Sequence, residues 1–257
     1  MDYAWMRAPA ASIADTARSL LGWQLSANGV TVRLTEVEAY AGTGEDPASH
    51  AHRGPTPRTQ VMFGPAGHAY VYFVFGVHWC LNIVCGAPGE AAAVLLRAGE
   101  VIAGAQLAAQ RRSGATDRPA GGQAAGPTGD PAAGSAGGQG AGPAGDPAGE
   151  PAGQAAGQAA GQAAGRRVAR LASRELARGP ARLVQSLGIG KEANGTSMVD
   201  GTGPLLLSPP PTPVDPSSVS AGPRVGVASA HDLPWRFWLT GEPSVSAYRR
   251  HVPRLRK

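Results

Sequence analysis

From Ser113 to Gly165 the chain is built almost entirely of Gly, Ala, Pro, Gln and Asp, and Gln-Ala-Ala-Gly repeats in tandem from Gln154, Gln158 and Gln162. No bulky apolar side chain occurs in this tract. Ordering it would cost backbone entropy with no burial to offset the cost. It therefore reads as a disordered low-complexity insertion, 113–165, and not as a domain. The flanks, 1–112 and 166–257, together hold roughly 200 residues, enough for one hydrophobic core. Loop-closure cost grows only slowly with length, so the two flanks can form one domain across the tract.

The net charge of +5 understates the basic character of the flanks. The tract holds Arg118 against Asp117, Asp130, Asp146 and Glu150, so the rest of the chain carries about +8. Basic residues gather between Arg166 and Arg182 and in the tail from Arg249 to Lys257. Arg170, Arg174, Arg178 and Arg182 fall at a four-residue spacing, one face of a helix if the helix runs that far. Such a stripe suits a polyanion, although a solvated face would look the same. Two cysteines, Cys80 and Cys85, fit no zinc or redox spacing and read as buried thiols. No signal peptide is apparent at the N-terminus, and no apolar run reaches membrane-spanning length. The expected setting is the reducing cytoplasm, with the chain a soluble monomer.

The segment Val30–Tyr40 reads as a strand. Under period-two alternation its even positions are Val30, Val32, Leu34, Glu36, Glu38 and Tyr40. A face that starts as core and ends in two glutamates needs an explanation, because an unpaired buried carboxylate is costly. Either a glutamate is salt-bridged, for instance to an arginine, or one is a poised acid or base at a pocket mouth.

Other elements follow from local signals. Ile13–Gly22 reads as a short helix closed by glycine. Asn28-Gly29 joins a strand near Trp23–Ala27 to the strand 30–40 as a hairpin. Residues 41–68 form a long irregular segment with His50, His52 and His68, and such segments are often functional. A second hairpin runs through Tyr70–Phe75, turns at Gly76-Val77 and returns through His78–Val84. Ala91–Arg97 is a further strand, and Val101–Arg112 and Arg166–Ala177 read as helices. A helix over Ala181–Leu187 opens at Gly179-Pro180 and closes at Gly188. Arg224–Val227 and Trp235–Thr240 read as short strands. The fold class is α+β: a single domain with a curved antiparallel sheet, a protruding hairpin and surrounding helices.

In this order the motifs resemble the alkyladenine (3-methyladenine) DNA glycosylase family. The resemblance rests on Leu20-Leu-Gly22, Glu36-Val-Glu-Ala-Tyr40, Thr56-Pro-Arg58, Met62-Phe63, Tyr70-Val-Tyr72 with Gly76, and Cys80-Leu-Asn82. It continues through Val94-Leu-Leu-Arg97, Arg174-Glu-Leu176 with Gly179-Pro180, and Arg224-Val-Gly-Val227 with Arg236-Phe237. It covers the chain apart from the insertion. It implies that Glu38 is the general base for an attacking water, that Arg97 helps hold that water, and that the carbonyl of Val225 is a further water contact. It implies that Tyr40, His50 and Tyr72 enclose a flipped base, with His50 preferred to His52. Asn82 would screen purine 2-substituents. Phe75, where the family usually has tyrosine, would be the wedge that intercalates into the DNA. The implied partner is double-stranded DNA containing damaged purines, with no cofactor, no metal and no obligate protein partner.

Elementary chemistry is compatible with these roles. A base inside a duplex must be extruded before an enzyme can reach it. Apolar wedges unstack base steps, and aromatic faces hold an extruded base. A carboxylate favours an oxocarbenium-like transition state. Of 23 basic Lys and Arg residues only Lys191 and Lys257 are lysines, and neither lies in a motif. A glycosylase that also cleaves the strand needs an amine nucleophile, so the shortage favours water as nucleophile and an abasic site as product.

Other readings stand beside this one. Without the ordered motifs, Tyr70, Tyr72, Phe73 and Phe75 would be core side chains. Arg97 would then simply neutralise Glu36 or Glu38. A non-catalytic binder of damaged DNA would need the wedge and the basic surface alone. Asp46, His50 and His52 could form the ligand cluster of a metal-dependent hydrolase, although the spacing matches no standard zinc pattern.

Overall fold

The computed structural model describes residues 3–74, 76–114 and 173–251. Its spine is strand β2, Val30–Tyr40. Strand β1, Gln24–Ala27, reaches β2 through a two-residue turn in which Ala27 faces Val30. Asn28 and Gly29 have φ of 47° and 76°. That is the left-handed region which a type I′ turn requires at both central positions, hence Asn-Gly.

The remaining strands are β3 Ala69–Val74, β4 His78–Cys85, β5 Ala92–Ala103, β6 Ala177–Arg178, β7 Leu206–Ser208, β8 Val219–Gly222 and β9 Arg236–Leu239. Among the described residues these nine strands make one open antiparallel sheet in the order β3-β4-β5-β2-β1-β7, with β6 on β5 and with β9 between β2 and β8. Residues before and after the insertion thus share one sheet. Three short helices pack on it: α1 Ile13–Ser19, α2 Ala105–Ser113 and α3 Pro180–Leu187. The fold is α+β, as expected.

The alternation read along β2 does not survive intact. Leu34 faces Gly99 and Glu36 faces Ala98, which leaves Thr35 unopposed. Val37 then faces Leu96, which leaves Arg97 unopposed on β5. At the same place β2 exchanges one neighbour for another: β1 lies beside Val30–Arg33, and β9 lies beside Glu36–Glu38. One extra residue turns a strand over. The main core accordingly takes Val30, Val32 and Leu34 before the bulge but Val37 and Ala39 after it. Glu36 and Glu38 therefore do not share the face of Leu34. Gly99 serves the same crossing, since a Cβ there would fall 2.5 Å from the Arg33 carbonyl oxygen.

Beyond the bulge the sheet has two distinct faces. Ala69 and Val71, Leu81 and Ile83, and Ala92, Val94 and Leu96 join the main core. Ile13 and Ala17 of α1 and Leu183, Val184 and Leu187 of α3 close over it. The intervening positions Tyr70, Tyr72, Cys80, Asn82, Leu95 and Arg97 look the other way, into a pocket. The β3–β4 hairpin is buried at its base and becomes exposed toward its tip, at Phe73 and Val77.

Three expected elements are corrected. Val101–Ala103 is not helical: β5 continues through it because Val101 and Ala103 pair with Val32 and Thr31, and α2 starts only at Ala105. Arg224–Val227 is not a strand. The edge of β9 is taken instead by Val219–Gly222. The described end of the expected helix 166–177 is a 3-10 turn, Ser173–Glu175, followed by β6, which pairs with Ala98 and Gly99. Residues 166–172 lie outside the described residues, as does Arg170 of the arginine stripe. Arg178 and Arg182 both bond Glu175, at 2.7 and 2.6 Å, instead of forming a free helical face. Such exposed pairs contribute little to stability. Cys80 and Cys85 are free and buried, as expected. Among the described residues no helix is long and apolar enough to cross a membrane.

Candidate active site

The pocket has a volume of about 430 Å³, within the ordinary range for a small-ligand site. Its floor is the second half of β2 with its neighbours β5 and β4. Its walls are β3, the irregular segment after β2 and the loop 225–229. Seven of the eight expected site residues line it together: Glu38, Tyr40, His50, Tyr72, Asn82, Arg97 and Val225. The eighth, Phe75, lies outside the described residues. Val74, immediately before it, is at the pocket edge.

The two glutamates meet different surroundings. Glu36 is the structural one. Its Oε1 lies 2.6 Å from Arg236 Nε and 2.8 Å from Arg97 Nε. Ser246 adds its backbone N–H to Oε2 at 2.7 Å and its hydroxyl to Oε1 at 2.9 Å. Both oxygens of this buried carboxylate have a donor and two guanidinium groups flank Oε1, the kind of pairing that keeps a charge inside a fold.

Glu38 faces the pocket. The Val225 N–H donates to its Oε1 at 2.7 Å and the Tyr40 hydroxyl donates to its Oε2 at 3.0 Å. Arg97 Nη1 stands 3.5 Å from Oε1. The carboxylate is thus oriented by two hydrogen bonds, with a cation alongside. Burial works against the charge on Arg97, but Glu38 and then Glu36 outweigh it and raise its pKa. For Val225 the contact seen is made by its amide, and the expected role of its carbonyl stays a proposal.

The aromatic residues around the carboxylate are neutral at physiological pH. Burial, followed by the charge of Glu38, pushes the Tyr40 phenol well above its ordinary range. Burial and the neighbouring Cys80 thiol raise Tyr72. His50 Nδ1 lies 3.1 Å from the Tyr70 hydroxyl, and its ring meets Tyr72 edge-on at 4.6 Å. Asn82 faces Tyr70 across the hairpin and donates to its carbonyl at 3.0 Å, which fixes the amide plane. His52 is not part of the lining.

Burial and then the charge of Arg58 lower the pKa of His50 from 6.5 to about 4. A histidine with a depressed folded value binds its proton more readily when unfolded. Its contribution to stability is therefore complete above about 6.5 and is lost as pH falls toward about 4. Thermal unfolding across that window should show a steeper acid loss for wild type than for His50→Gln. Equal slopes would show that the ring titrates as it does in water.

Sequence reasoning missed the support behind Tyr40. Arg224 is 1 % exposed. It forms a two-pronged ion pair with Asp46, Nη1 to Oδ2 at 2.6 Å and Nη2 to Oδ1 at 2.8 Å. Its guanidinium also lies 4.7 Å from the Tyr40 ring centre and 5.3 Å from that of Trp235. This corrects the strand expected at Arg224–Val227 and gives Asp46 a partner. Arg224 is drawn inward and away from a strand, and Asp46 is engaged by Arg224 instead of joining His50 and His52 around a metal. Among the described residues no three His, Cys, Asp or Glu side chains converge as a metal site would require. The signal was present in the motif Arg224-Val-Gly-Val227, but nothing local assigned the arginine a partner.

The model of the methylpurine-DNA glycosylase family matches residues 7–129 and 148–243. This chain belongs to that family, whose members are hydrolases of DNA repair acting on N-glycosyl bonds. The gap in the match, 130–147, falls inside the low-complexity tract. The chain is 39 % identical over 242 residues to a protein of Frankia casuarinae, covering 91 % of this chain and 87 % of that one. It is 40 % identical over 248 residues to a protein of Leifsonia xyli subsp. xyli, covering 94 % and 90 %. It is 37 % identical over 238 residues to a protein of Mycobacterium tuberculosis, covering 91 % and 88 %. Each of the three bears the name "Putative 3-methyladenine DNA glycosylase".

Proposed function

We propose that this chain is a monofunctional DNA glycosylase that flips alkylated purines out of double-stranded DNA and removes them by hydrolysis, leaving an abasic site. The substrate class is the 3-methyladenine type, with 7-methylguanine, hypoxanthine and ethenoadenine as further members. The observation that carries the reading is Glu38: a buried carboxylate, held by Val225 and Tyr40 on the floor of an aromatic pocket, with Arg97 beside it.

In the proposed step a water oxygen attacks C1′ of the deoxyribose. The glycosidic bond breaks, and its electron pair leaves with the base. Glu38 accepts the proton from the water, and its charge opposes the positive charge developing at C1′. Arg97 and the Val225 carbonyl hold the water. Tyr40, His50 and Tyr72 enclose the base, and their neutrality suits a purine that alkylation has made cationic. Asn82 screens the purine 2-position, and Phe75 fills the vacated stack. No cofactor or metal enters this scheme. The enzyme acts as a monomer in the cytoplasm. Residues 1–112 and 166–257 form its one domain, and 113–165 is an insertion.

The test is single-turnover incubation, in EDTA, with duplexes carrying 3-methyladenine, 7-methylguanine or hypoxanthine. Release of free base with the strand intact, and no enzyme trapped on DNA by borohydride, is the expected result. Tight binding to the damaged duplexes without base release would instead identify a non-catalytic damage binder.

A further inference from the structure

The segment after β9 contributes more to the site than its position at the end of the chain suggests. It leaves Leu239 and runs without regular structure through residues 242–251, folded back over the second half of β2. Ser244 bonds Thr35, the bulge residue, at 2.9 Å. Arg178 Nε donates to the Val245 carbonyl at 2.8 Å. Ser246 then meets the charged cluster with all three of its polar groups. Its N–H and hydroxyl donate to Glu36, and its carbonyl accepts from Arg236 Nη2 at 2.8 Å. Its hydroxyl oxygen also accepts from Arg97 Nε at 3.1 Å. Three residues on, the Arg249 carbonyl accepts the N–H of Gly226 at 3.1 Å. Gly226 adjoins Val225, which orients Glu38.

We propose that Ser246 is a positioning residue for the hydrolytic step, its hydroxyl locking Arg97 in the rotamer that places Nη1 beside Glu38. The proposal rests on the reading of Arg97 as a holder of the attacking water. Arg97 sits at an unopposed position of β5, so the ladder does not dictate where its side chain points. Its Nε donates to the Ser246 hydroxyl and stands 2.8 Å from Glu36 Oε1 as an ion pair. Glu36 supplies charge but is shared with Arg236, whereas the Ser246 hydroxyl bridges Glu36 and Arg97 and so sets the angle between them. Ser246 lies three residues past the end of the family match, at 243. The backbone contacts of Ser246 survive side-chain truncation, so the strap stays in place when the hydroxyl is removed.

The expected effect of Ser246→Ala is a fall of about tenfold or more in the single-turnover rate of base release, as misplacement of a catalytic group produces. The dissociation constant for the damaged duplex should stay within about twofold and the melting temperature should be unchanged. Ser246→Thr, which keeps the hydroxyl, should restore the rate. In an Arg97→Met background Ser246→Ala should slow the reaction no further, because its effect passes through Arg97. Ser246→Cys preserves volume while weakening the hydrogen bond, and it covers the case in which alanine lowers stability. Equal rates for wild type, alanine and cysteine variants would overturn the proposal while leaving the glycosylase reading intact. So would additive losses in the Arg97→Met background. Absence of base release by wild type itself would instead remove the reading on which the proposal rests.

Discussion

Glu38→Gln is expected to slow base release by about 10²- to 10⁴-fold, the usual range for loss of a general base, while binding to damaged duplex is retained. Glutamine is nearly isosteric with glutamate. Its amide oxygen can still accept the Val225 N–H that now bonds Oε1 at 2.7 Å. The Tyr40 hydroxyl, 3.0 Å from Oε2, would face an NH2 group and can turn to accept from it. Arg97 keeps Glu36 at 2.8 Å, so no buried cation is stranded. The pocket walls are untouched, so the extruded base should still dock. Single-turnover rate and dissociation constant, measured on one duplex, separate the two effects. A variant that lost both together would show that Glu38 holds the pocket's shape instead of moving a proton.

Asp46→Ala should be the most destabilising single change near the site. Both members of the Asp46–Arg224 pair are fully buried. Asp46 also accepts the backbone N–H groups of Ala48 at 3.0 Å and Ala41 at 3.3 Å. Removing it strands a guanidinium inside the protein, a loss on the order of 3–5 kcal/mol. For a domain of this size that lowers the melting temperature by on the order of 10 °C. Activity should fall as well, because Arg224 supports Tyr40 from behind at 4.7 Å. Arg224→Met together with Asp46→Leu removes both charges and should recover much of the stability, since apolar replacement of a whole buried pair is often neutral. Urea unfolding of the single and double variants measures this. If Asp46→Ala alone were neutral, the pair would not be holding the segment after β2 against the loop 225–229.

What was legible in the sequence was what short-range chemistry imposes. Asn28-Gly29 specifies a turn that needs two left-handed residues, and β1 and β2 follow from it. Gly179-Pro180 and Gly188 bracket α3 because proline suits a first helical turn and glycine a left-handed cap, here with φ of 66° at Gly188. Glu38, Tyr40, Tyr72, Asn82 and Arg97 are grouped by resemblance alone, and all five line one pocket; strand alternation accounts for the shared face of Tyr72 on β3 and Asn82 on β4. His50 reached the same pocket from a loop by resemblance alone.

The remainder depended on residues far apart in the chain. Nothing within Val30–Tyr40 marks Thr35 as a bulge. The bulge exists because β5 offers Arg97 as its own extra residue and because β1 and β9 divide the far edge of β2 between them. Arg224–Val227 reads locally as a strand, but Val219–Gly222 pairs with β9 and Arg224 turns inward to Asp46, 178 residues away. Helix 101–112 lost its first turn to pairing with Thr31 and Val32 for a like reason. Ser246, 210 residues from Glu36, carried no local sign of any role. Turns, caps and alternation are set by dihedral preference and side-chain period, which a sequence displays directly. Which glutamate is neutralised and which faces the pocket is set by register and by donors brought in from other strands, and only the folded chain decides that.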